Sequence, residues 1–384
     1  MTSVGSDMPS GPGPQRPRLR DHSIEIGRLK PGPLNAISDV DGVTVGHMTV
    51  WSGMQHPIVT DRLARTGVTV VVPHQGNLFR ARLFAGSHAL SGYGELTSRS
   101  VISEWGLLGS PIALTNSHSV GVVHDALVRY LSSKDAGIGV DDVLLPVVAE
   151  CDDSYLNDIR GMHVTREHVI QALESARGGP VMEGTVGAGT GMQCFGWKGG
   201  IGTSSRLVRF GRNDWTVGCL VLTNYGDPRD LMIGGYPIGR QLVPPSPRAR
   251  GRGSCIVVVA TSAPIDSRQC ERLAQRACLG LVRTGSIGAD GSGEFAIAFS
   301  TACKVPRETP TGILTHGALV SGSLTPGDSG LDLLFLAAIE ATEEAALNAL
   351  FTATTVSGRS GNTLLALPLE PTLGAIRRDY RSAP

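Results

Sequence analysis

The sequence has few aromatic residues, no excess of charge of either sign and no long hydrophobic run. Aromatic residues make up 5% of its 384 residues, and Lys plus Arg and Asp plus Glu both total 34. A net charge of zero gives no general reason to expect nucleic acid or a membrane surface as a partner. The longest apolar run, residues 333–339, is far too short to cross a bilayer. We expect a globular protein that binds a small molecule.

Cysteine is also sparse: the seven cysteines are odd in number and scattered, and the closest pair is Cys270 and Cys278. Neither a disulfide framework nor a CxxC metal site fits this spacing, and no HExxH motif is present. Gly187, Gly189 and Gly191 form GxGxG rather than the GxGxxG of dinucleotide sites. We therefore expect no metal, no organic cofactor and a reducing compartment, with the cytoplasm as the location.

Residues 1–33 lack an apolar segment and are rich in Gly, Pro, Arg and Ser. Such a composition cannot bury enough apolar surface to form a core. It also differs from a secretory signal, which has an apolar stretch after a basic start. We expect residues 1–33 to form a disordered tail that is neither a signal nor an anchor.

Strands and helices alternate through the rest of the chain. Runs rich in β-branched residues and bounded by turn formers predict strands, at residues 67–72, 216–223, 255–261 and 295–300. Apolar residues at helical spacing predict helices, at residues 120–131, 166–177, 331–351 and after Asp266, an N-cap with Gln269 three residues on. Mixed sheets with helices on the outside follow, so the fold class is α/β or α+β with several layers.

Residues 243–253 (VPPSPRARGRG) are basic, rich in proline and unable to form a core. They run directly into residues 255–261 (CIVVVAT), a strand that reads as buried on both faces. The segment is typical of an exposed connection that can be cut, although an ordinary protease site or a polar turn before a strand has the same composition. Cleavage between Gly253 and Ser254 would put a hydroxyl and a free α-amine on Ser254, and the amine could then act as general base.

Several stretches carry recognisable motifs. They are PGPLNAISDVDGVTVGH (31–47), RTGVTVVVP (65–73), LTNSHSVGV (114–122), SYLNDIRGMHVT (154–165), GTVGAGTGM (184–192), GSCIVVVAT (253–261) and GSGEFAIAFST (291–301). Together they resemble the self-processing N-terminal-nucleophile aminopeptidases, the family of the L-aminopeptidase/D-amidase/esterase and the β-peptidyl aminopeptidases. The resemblance extends from about residue 31 to the C-terminal helix. It implies an α+β fold, a four-layer αββα sandwich of the self-processing aminopeptidase and ornithine acetyltransferase type.

The resemblance also implies cleavage between Gly253 and Ser254, with Ser254 as the N-terminal nucleophile. Residues 34–242 would then form the α-chain part of a single domain, residues 243–253 the flexible cleavage linker, and residues 254–384 the β-chain part. The matured enzyme would release N-terminal residues from short peptides, amides or esters, as a homo-oligomer of αβ units.

Four further residues match the family's site. Ser292 and Glu294 are two apart on a strand and thus on one face, and they match the pair that supports the nucleophile. Asn224, which ends a strand, matches the side-chain donor to the oxyanion of the tetrahedral intermediate. Glu150 matches the acid that receives the ammonium group of the substrate. Without the resemblance, a glycine-rich turn, a strand-end asparagine and a solvated glutamate would explain the same residues.

One position departs from the family pattern. Glu150 is often followed in the family by Thr-Tyr, whose phenol reaches the active site, whereas Cys151 and Asp152 follow here. The carboxylate of Asp152 replaces a neutral donor and adds negative charge. If Asp152 faces the site, we expect substrate preference and oxyanion stabilisation to differ from those of the family.

Three other features suggest a different chemistry and are set aside. The GDSG of residues 327–330 spells a trypsin-like motif, but it precedes a helix, where Asp and Ser serve as caps. His118 has no second histidine at metal spacing and is interpreted as a core or loop residue. Cys255 would be a stronger nucleophile than a serine, but the strand pleat turns it to the face opposite Ser254.

Two alternative functions stay open at this point. Acyl transfer of the ornithine acetyltransferase type uses a similar layered fold, although those enzymes use threonine as the nucleophile. An uncleaved, non-catalytic scaffold would keep the fold while the exchange at Asp152 disables the site. The serine at position 254 and the match at Glu150 favour hydrolysis.

Overall fold

The computed structural model describes residues 11, 13–53, 63–245, 253–322 and 329–382. The strands are β1 (Thr44–Ser52), β2 (Ala64–Val72), β3 (Ala81–Gly92), β4 (Leu107–Leu108), β5 (Ile112–Asn116), β6 (Val147–Cys151), β7 (Gln193–Cys194), β8 (Trp197–Lys198), β9 (Ile201–Phe210), β10 (Asn213–Asn224), β11 (Gly253–Thr261), β12 (Ser292–Pro306), β13 (Val356–Ser357) and β14 (Thr363–Leu364). The helices are α1 (Arg99–Trp105), α2 (Val120–Ser132), α3 (Arg166–Glu174), α4 (Ser267–Arg283), α5 (Gly330–Thr352) and α6 (Leu369–Ser382).

Two sheets form the middle of the molecule. The first has four strands in the order β1-β2-β5-β6, and the second has six in the order β4-β3-β12-β11-β10-β9. Apolar side chains from both sheets form one buried cluster, which includes Leu114 of β5 and Ile256 of β11. Helices α2 and α3 pack on the outer face of the first sheet, and α4 and α5 cover the outer face of the second. The predicted four-layer αββα sandwich is therefore confirmed.

Hydrogen bonds explain where α4 begins and where α3 ends. Asp266 Oδ1 accepts a hydrogen bond from the Gln269 amide at 2.8 Å, and Gln269 Oε1 accepts one from the Asp266 amide at 3.1 Å. This is the predicted capping box at the start of α4. Helix α3 ends at Glu174, before the predicted residue 177, because Arg177 instead exchanges two backbone hydrogen bonds of 3.1 Å with Val45.

The described part of the N-terminal segment is packed, which corrects the prediction of a disordered tail for residues 13–33. Leu19 and Ile26 are buried in the same apolar cluster as α5. Arg16 donates a hydrogen bond of 2.9 Å to the carbonyl oxygen of Ala353. The composition was misleading because isolated apolar anchors and arginine side chains, rather than a continuous apolar run, hold the segment on the domain.

Two predictions fall partly outside the described residues. Residues 1–10 and 12 of the predicted tail lie outside them, and so do residues 246–252 of the predicted cleavage linker. The helices that are described include none that is both long and apolar enough to cross a membrane.

Candidate active site

Strand β11 begins at the predicted cleavage position, between β10 and β12 in the middle of the six-stranded sheet. Ser254 pairs with Asn224 of antiparallel β10 and with Gly293 of parallel β12. Gly253 pairs with Ser292. Because neighbouring strands lie only about 4.8 Å apart, the residues predicted on three separate strands meet at one end of this sheet.

The Ser254 side chain points into the space between the two sheets. Along β11, Cys255 belongs to the apolar cluster beneath α4 and α5, whereas Ile256 belongs to the cluster between the sheets. Alternation along a strand places Ser254 on the same side as Ile256. Ser254 is 5% exposed, and its Oγ donates to the carbonyl oxygen of Gly253 at 2.8 Å. The hydroxyl therefore lies against the peptide carbonyl that self-cleavage would attack.

Gly253 is packed too tightly for any side chain. A Cβ atom there would lie 2.4 Å from the carbonyl oxygen of Asn224 and 2.9 Å from Cα of Tyr225. Separations this short would force one of the two strands to move. Glycine is thus required at this position by the close approach of β10, which holds the backbone of the Gly253–Ser254 bond.

Ser292 and Glu294 lie on one face of β12, and Ser292 Oγ donates to Glu294 Oε1 at 3.0 Å. Glu294 pairs with Cys255, so this face looks toward α4 rather than toward the other sheet. The pair therefore approaches the Gly253–Ser254 bond from the side opposite the Ser254 hydroxyl. Burial raises the pKa of Glu294, and hydrogen bonds from Ser286 and Ser292 partly oppose that rise.

Asn224 is buried, and both ends of its side-chain amide are engaged. Its Nδ2 donates to the backbone carbonyl oxygen of Asp152 at 2.8 Å, and its Oδ1 accepts from the Gln193 amide at 3.3 Å. These two contacts fix the orientation of the amide plane. An amide nitrogen carries two hydrogens, and the contact with Asp152 uses one of them. Asn224 is also the residue that pairs with Ser254 across the two strands.

Glu150 lies near the end of β6 in the four-stranded sheet and is 6% exposed. It accepts a hydrogen bond of 3.0 Å from the Glu95 amide and a second one from the Ser117 hydroxyl. A Cβ atom on Gly94 would lie 3.0 Å from Glu150 Oε1 and 3.2 Å from Cα of Gly293, the neighbour of Ser254. Glu150 thus lies one residue away from the β12 strand end. Burial raises the pKa of Glu150, and the two hydrogen bonds oppose the rise.

Asp152 contributes to the site through its backbone. Its side-chain Oδ1 accepts from the Ser154 amide at 2.8 Å, a contact within its own loop. Its carbonyl oxygen receives the Asn224 amide described above. The half-buried carboxylate also adds to the electrostatic rise in the pKa of Glu150. Asn224 is therefore held by a main-chain atom of Asp152, which does not depend on the side chain that departs from the family pattern.

Two hydroxyl donors in the site were not predicted from the sequence. Ser117 donates to Glu150, and Ser286 donates to both carboxylate oxygens of Glu294 at 3.0 and 3.1 Å. Ser117 lies inside the motif LTNSHSVGV, so the resemblance to the family pointed to this segment, but it did not identify Ser117 as a residue of the site. Ser286 lies in the loop before β12 and carried no signal.

The described residues among the features that were set aside can be explained without a role in catalysis; residues 327 and 328 of the GDSG motif lie outside the described residues. Cys255 is buried on the opposite face, and burial raises the pKa of its thiol well above the usual range. His118 is an exposed residue of a short 3-10 turn, so it is a loop histidine. Ser329 accepts from the Asp332 amide and caps α5. The described residues contain no group of three His, Cys, Asp or Glu side chains that could hold a metal ion.

Similar proteins of known name or structure cover almost the whole chain. A β-peptidyl aminopeptidase BapA from Sphingosinicella microcystinivorans is 42% identical over 381 residues, 95% of this chain and 93% of that protein. A β-aminopeptidase structure from Burkholderia sp. has a TM-score of 0.84 at 44% identity, covering 94% of this chain and 98% of that one. The L-aminopeptidase D-Ala-esterase/amidase of Ochrobactrum anthropi, described as a serine aminopeptidase with a variant Ntn hydrolase fold, has a TM-score of 0.86 at 38% identity over 96% of this chain and 100% of that one.

The layered fold and these relatives define a hydrolase of the aminopeptidase class. The chain belongs to peptidase family S58, whose model matches residues 35–364. The predicted family and enzyme class are therefore confirmed, and the acyltransferase alternative is not favoured.

Proposed function

We propose that the chain cleaves its own Gly253–Ser254 bond and that Ser254 then acts as the nucleophile of a serine aminopeptidase. One observation carries this proposal: the Ser254 Oγ donates to the carbonyl oxygen of Gly253 at 2.8 Å. A hydroxyl held this close needs only a small rotation to reach the carbonyl carbon. The tight packing at Gly253 keeps the carbonyl in place for that attack.

In the first step, the Ser254 oxygen bonds to the Gly253 carbonyl carbon, the hydroxyl proton passes to the Ser254 nitrogen, and the C–N bond breaks. Water then opens the resulting ester. This leaves a carboxylate on Gly253 and both a hydroxyl and a free α-amine on Ser254. An α-amine has an ordinary pKa of about 7.7–8.0, so near neutral pH it can accept the proton of the same hydroxyl when substrate is attacked.

Ser292 and Glu294 are proposed to position the new amine. Ser292 pairs with Gly253, so its hydroxyl stands beside the position where the amine forms. The hydrogen bond of 3.0 Å to Glu294 fixes that hydroxyl, and Ser286 fixes the carboxylate in turn. This chain of contacts orients the amine from the helix side while the Ser254 hydroxyl faces the substrate on the other side.

Glu150 and Asn224 are proposed to bind the two ends of the reacting unit of the substrate. The Glu150 carboxylate receives the free ammonium group, which restricts the enzyme to substrates with an unblocked amino terminus. The second N–H of Asn224 donates to the oxyanion, a contribution of about 3 kcal/mol to transition-state stability. We propose short peptides, amides or esters as substrates, in line with the names of the relatives, which refer to β-peptides and to D-alanine esters and amides.

The proposal extends to assembly and location. In the six-stranded sheet, β12 and β11 lie between β3 and β10, so cleavage would leave two chains that stay hydrogen-bonded on both sides as one αβ unit. We propose that these units form a homo-oligomer. All seven cysteines are free and six are buried, as is usual in a reducing compartment, which supports a cytoplasmic location.

The variant Ser254→Ala tests the proposal because it removes only the hydroxyl. We expect an uncut chain without measurable hydrolysis of aminoacyl p-nitroanilides. The matched control is Cys255→Ala, a change at the next residue on the opposite face, which should cut itself and hydrolyse these substrates like the natural protein. Aminopeptidase activity in a pure, uncut Ser254→Ala protein would contradict the proposal.

A further inference from the structure

A cavity of about 540 Å³ opens between the end of β3 and helix α1. Its lining is mostly polar, and it includes four serines, Ser87, Ser98, Ser100 and Ser103. Three charged residues, Glu95, Arg99 and Glu271, complete the polar part of the wall. All three charged residues are exposed, so a ligand in the cavity would contact them without burying an unpaired charge of the protein.

This cavity shares three lining residues with the surroundings of Glu150. The amide of Glu95 donates to Glu150 Oε1 at 3.0 Å. Gly94 lies beside the same carboxylate oxygen, and the Phe295 ring lies 3.2 Å from the position of a Cβ atom on Gly94. Glu95, Gly94 and Phe295 all line the cavity. The cavity is therefore separated from the carboxylate by the thickness of one residue.

We infer that this cavity binds the side chain of the substrate's N-terminal residue and that its charges favour a basic side chain over an acidic one. The inference rests on the proposed function, in which Glu150 binds the ammonium group and Ser254 attacks the carbonyl carbon. The side chain of the residue branches between these two groups, next to Gly94 and Gly293. The leaving amine lies beyond the carbonyl and so extends away from Glu150.

The preference for a basic side chain follows from the charges of the wall. Two carboxylates, Glu95 and Glu271, face the cavity against one guanidinium, Arg99. The serine hydroxyls can donate to or accept from any polar group, so they do not choose between the two signs. Because the charged groups are solvent-exposed, each is expected to change the relative rate of two substrates only by roughly threefold.

The test compares kcat/KM for p-nitroanilides of lysine, glutamate and alanine, in whichever series the natural protein hydrolyses: L-α, D-α or β³-homo. We expect a lysine-to-glutamate ratio above one. Glu271→Gln should lower that ratio roughly threefold and Arg99→Gln should raise it by a similar factor. Glu104→Gln is the matched control, because Glu104 is an exposed carboxylate on the same helix as Arg99 but lines a different cavity; it should leave the ratio unchanged.

Two outcomes would overturn the inference in distinguishable ways. In the first, alanine p-nitroanilide is hydrolysed, but Glu271→Gln and Arg99→Gln give the same lysine-to-glutamate ratio as Glu104→Gln. The cavity is then not the side-chain subsite, and the proposed function stands. If the natural protein hydrolyses none of the substrates in any of the three series, the proposed function fails and the subsite fails with it. Opposite shifts that shrink with added salt would support the subsite.

Discussion

The Gly253–Ser254 bond owes its geometry to the close approach of two strands. Gly253 touches the backbone of Asn224, and Asn224 in turn is held by the carbonyl oxygen of Asp152. Main-chain atoms thus fix both the Gly253–Ser254 bond and the Asn224 amide, the proposed donor to the oxyanion. For this reason we expect the site to stay active despite the exchange at Asp152, contrary to the scaffold hypothesis, since a backbone carbonyl does not depend on the side chain.

Gly253→Ala tests this dependence on close packing. The added methyl would lie 2.4 Å from the Asn224 carbonyl oxygen, so the backbone must shift away from β10. A displacement of this kind can slow a positioned reaction on the order of a hundredfold. We expect the variant to accumulate as a single chain, with the fraction cut over time measured by gel electrophoresis.

The control for Gly253→Ala is Gly121→Ala, at the first turn of α2, where a Cβ atom would meet nothing within 4 Å. This control should cut itself at the natural rate. Cleavage of Gly253→Ala as fast as the control would show that the close approach of β10 is irrelevant to the reaction.

At the level of elements, helix α5 joins the two parts of the chain through buried charges. Glu344 accepts from Arg206 Nη2 of β9 at 2.7 Å and from Arg20 Nε of the N-terminal segment at 2.7 Å. The Arg206 and Glu344 side chains are fully buried. Arg206 and Arg20 precede the proposed cut and Glu344 follows it, so this network would also hold the two chains together after cleavage.

Glu344→Ala should destabilise the fold strongly. Removing the carboxylate takes one of two buried carboxylate partners from Arg206 and leaves Glu340, whose Oε2 lies 3.2 Å from Arg206 Nε. Loss of a hydrogen bond to a charged group costs about 1.5–3 kcal/mol. We would measure the free energy of unfolding by urea denaturation in the Ser254→Ala background, where a single chain unfolds. Glu25→Ala is the control, because Glu25 also contacts Arg20, at 3.8 Å, but its side chain is 79% exposed. The control should lose less than about 1 kcal/mol, and an equal loss in both variants would refute the role given to the buried network.

At the level of the whole molecule, local patterns could be predicted and contacts between distant segments could not. The capping box of Asp266 and Gln269 depends on residues three apart, so the sequence alone reveals it. Ser286 and Ser117 become hydrogen-bond donors in the site only through the packing of loops against strands, which no short pattern encodes. The same limit explains why the N-terminal segment looked disordered, since Arg16 bonds to Leu367 and Arg20 to Glu344, each more than 300 residues away.

The family motifs supplied what periodicity could not. Ser254, Ser292, Glu294, Asn224 and Glu150 were each ambiguous from the sequence without the resemblance. The strand register brings the first four to one sheet end, and Glu150 reaches the same end from the other sheet. The register does not follow from composition, and neither does the finding that Ser292 and Glu294 lie on the face opposite the Ser254 hydroxyl.

The most direct test of self-cleavage at Ser254 is the intact mass of freshly purified protein, with N-terminal sequencing of any fragment. We predict two chains that elute together in size-exclusion chromatography, the smaller of which begins Ser254-Cys255-Ile256. A single uncut chain that hydrolyses aminoacyl p-nitroanilides would contradict the account, because Ser254 would then have no free amine to serve as base. A cut at any other bond, with activity retained, would contradict it equally.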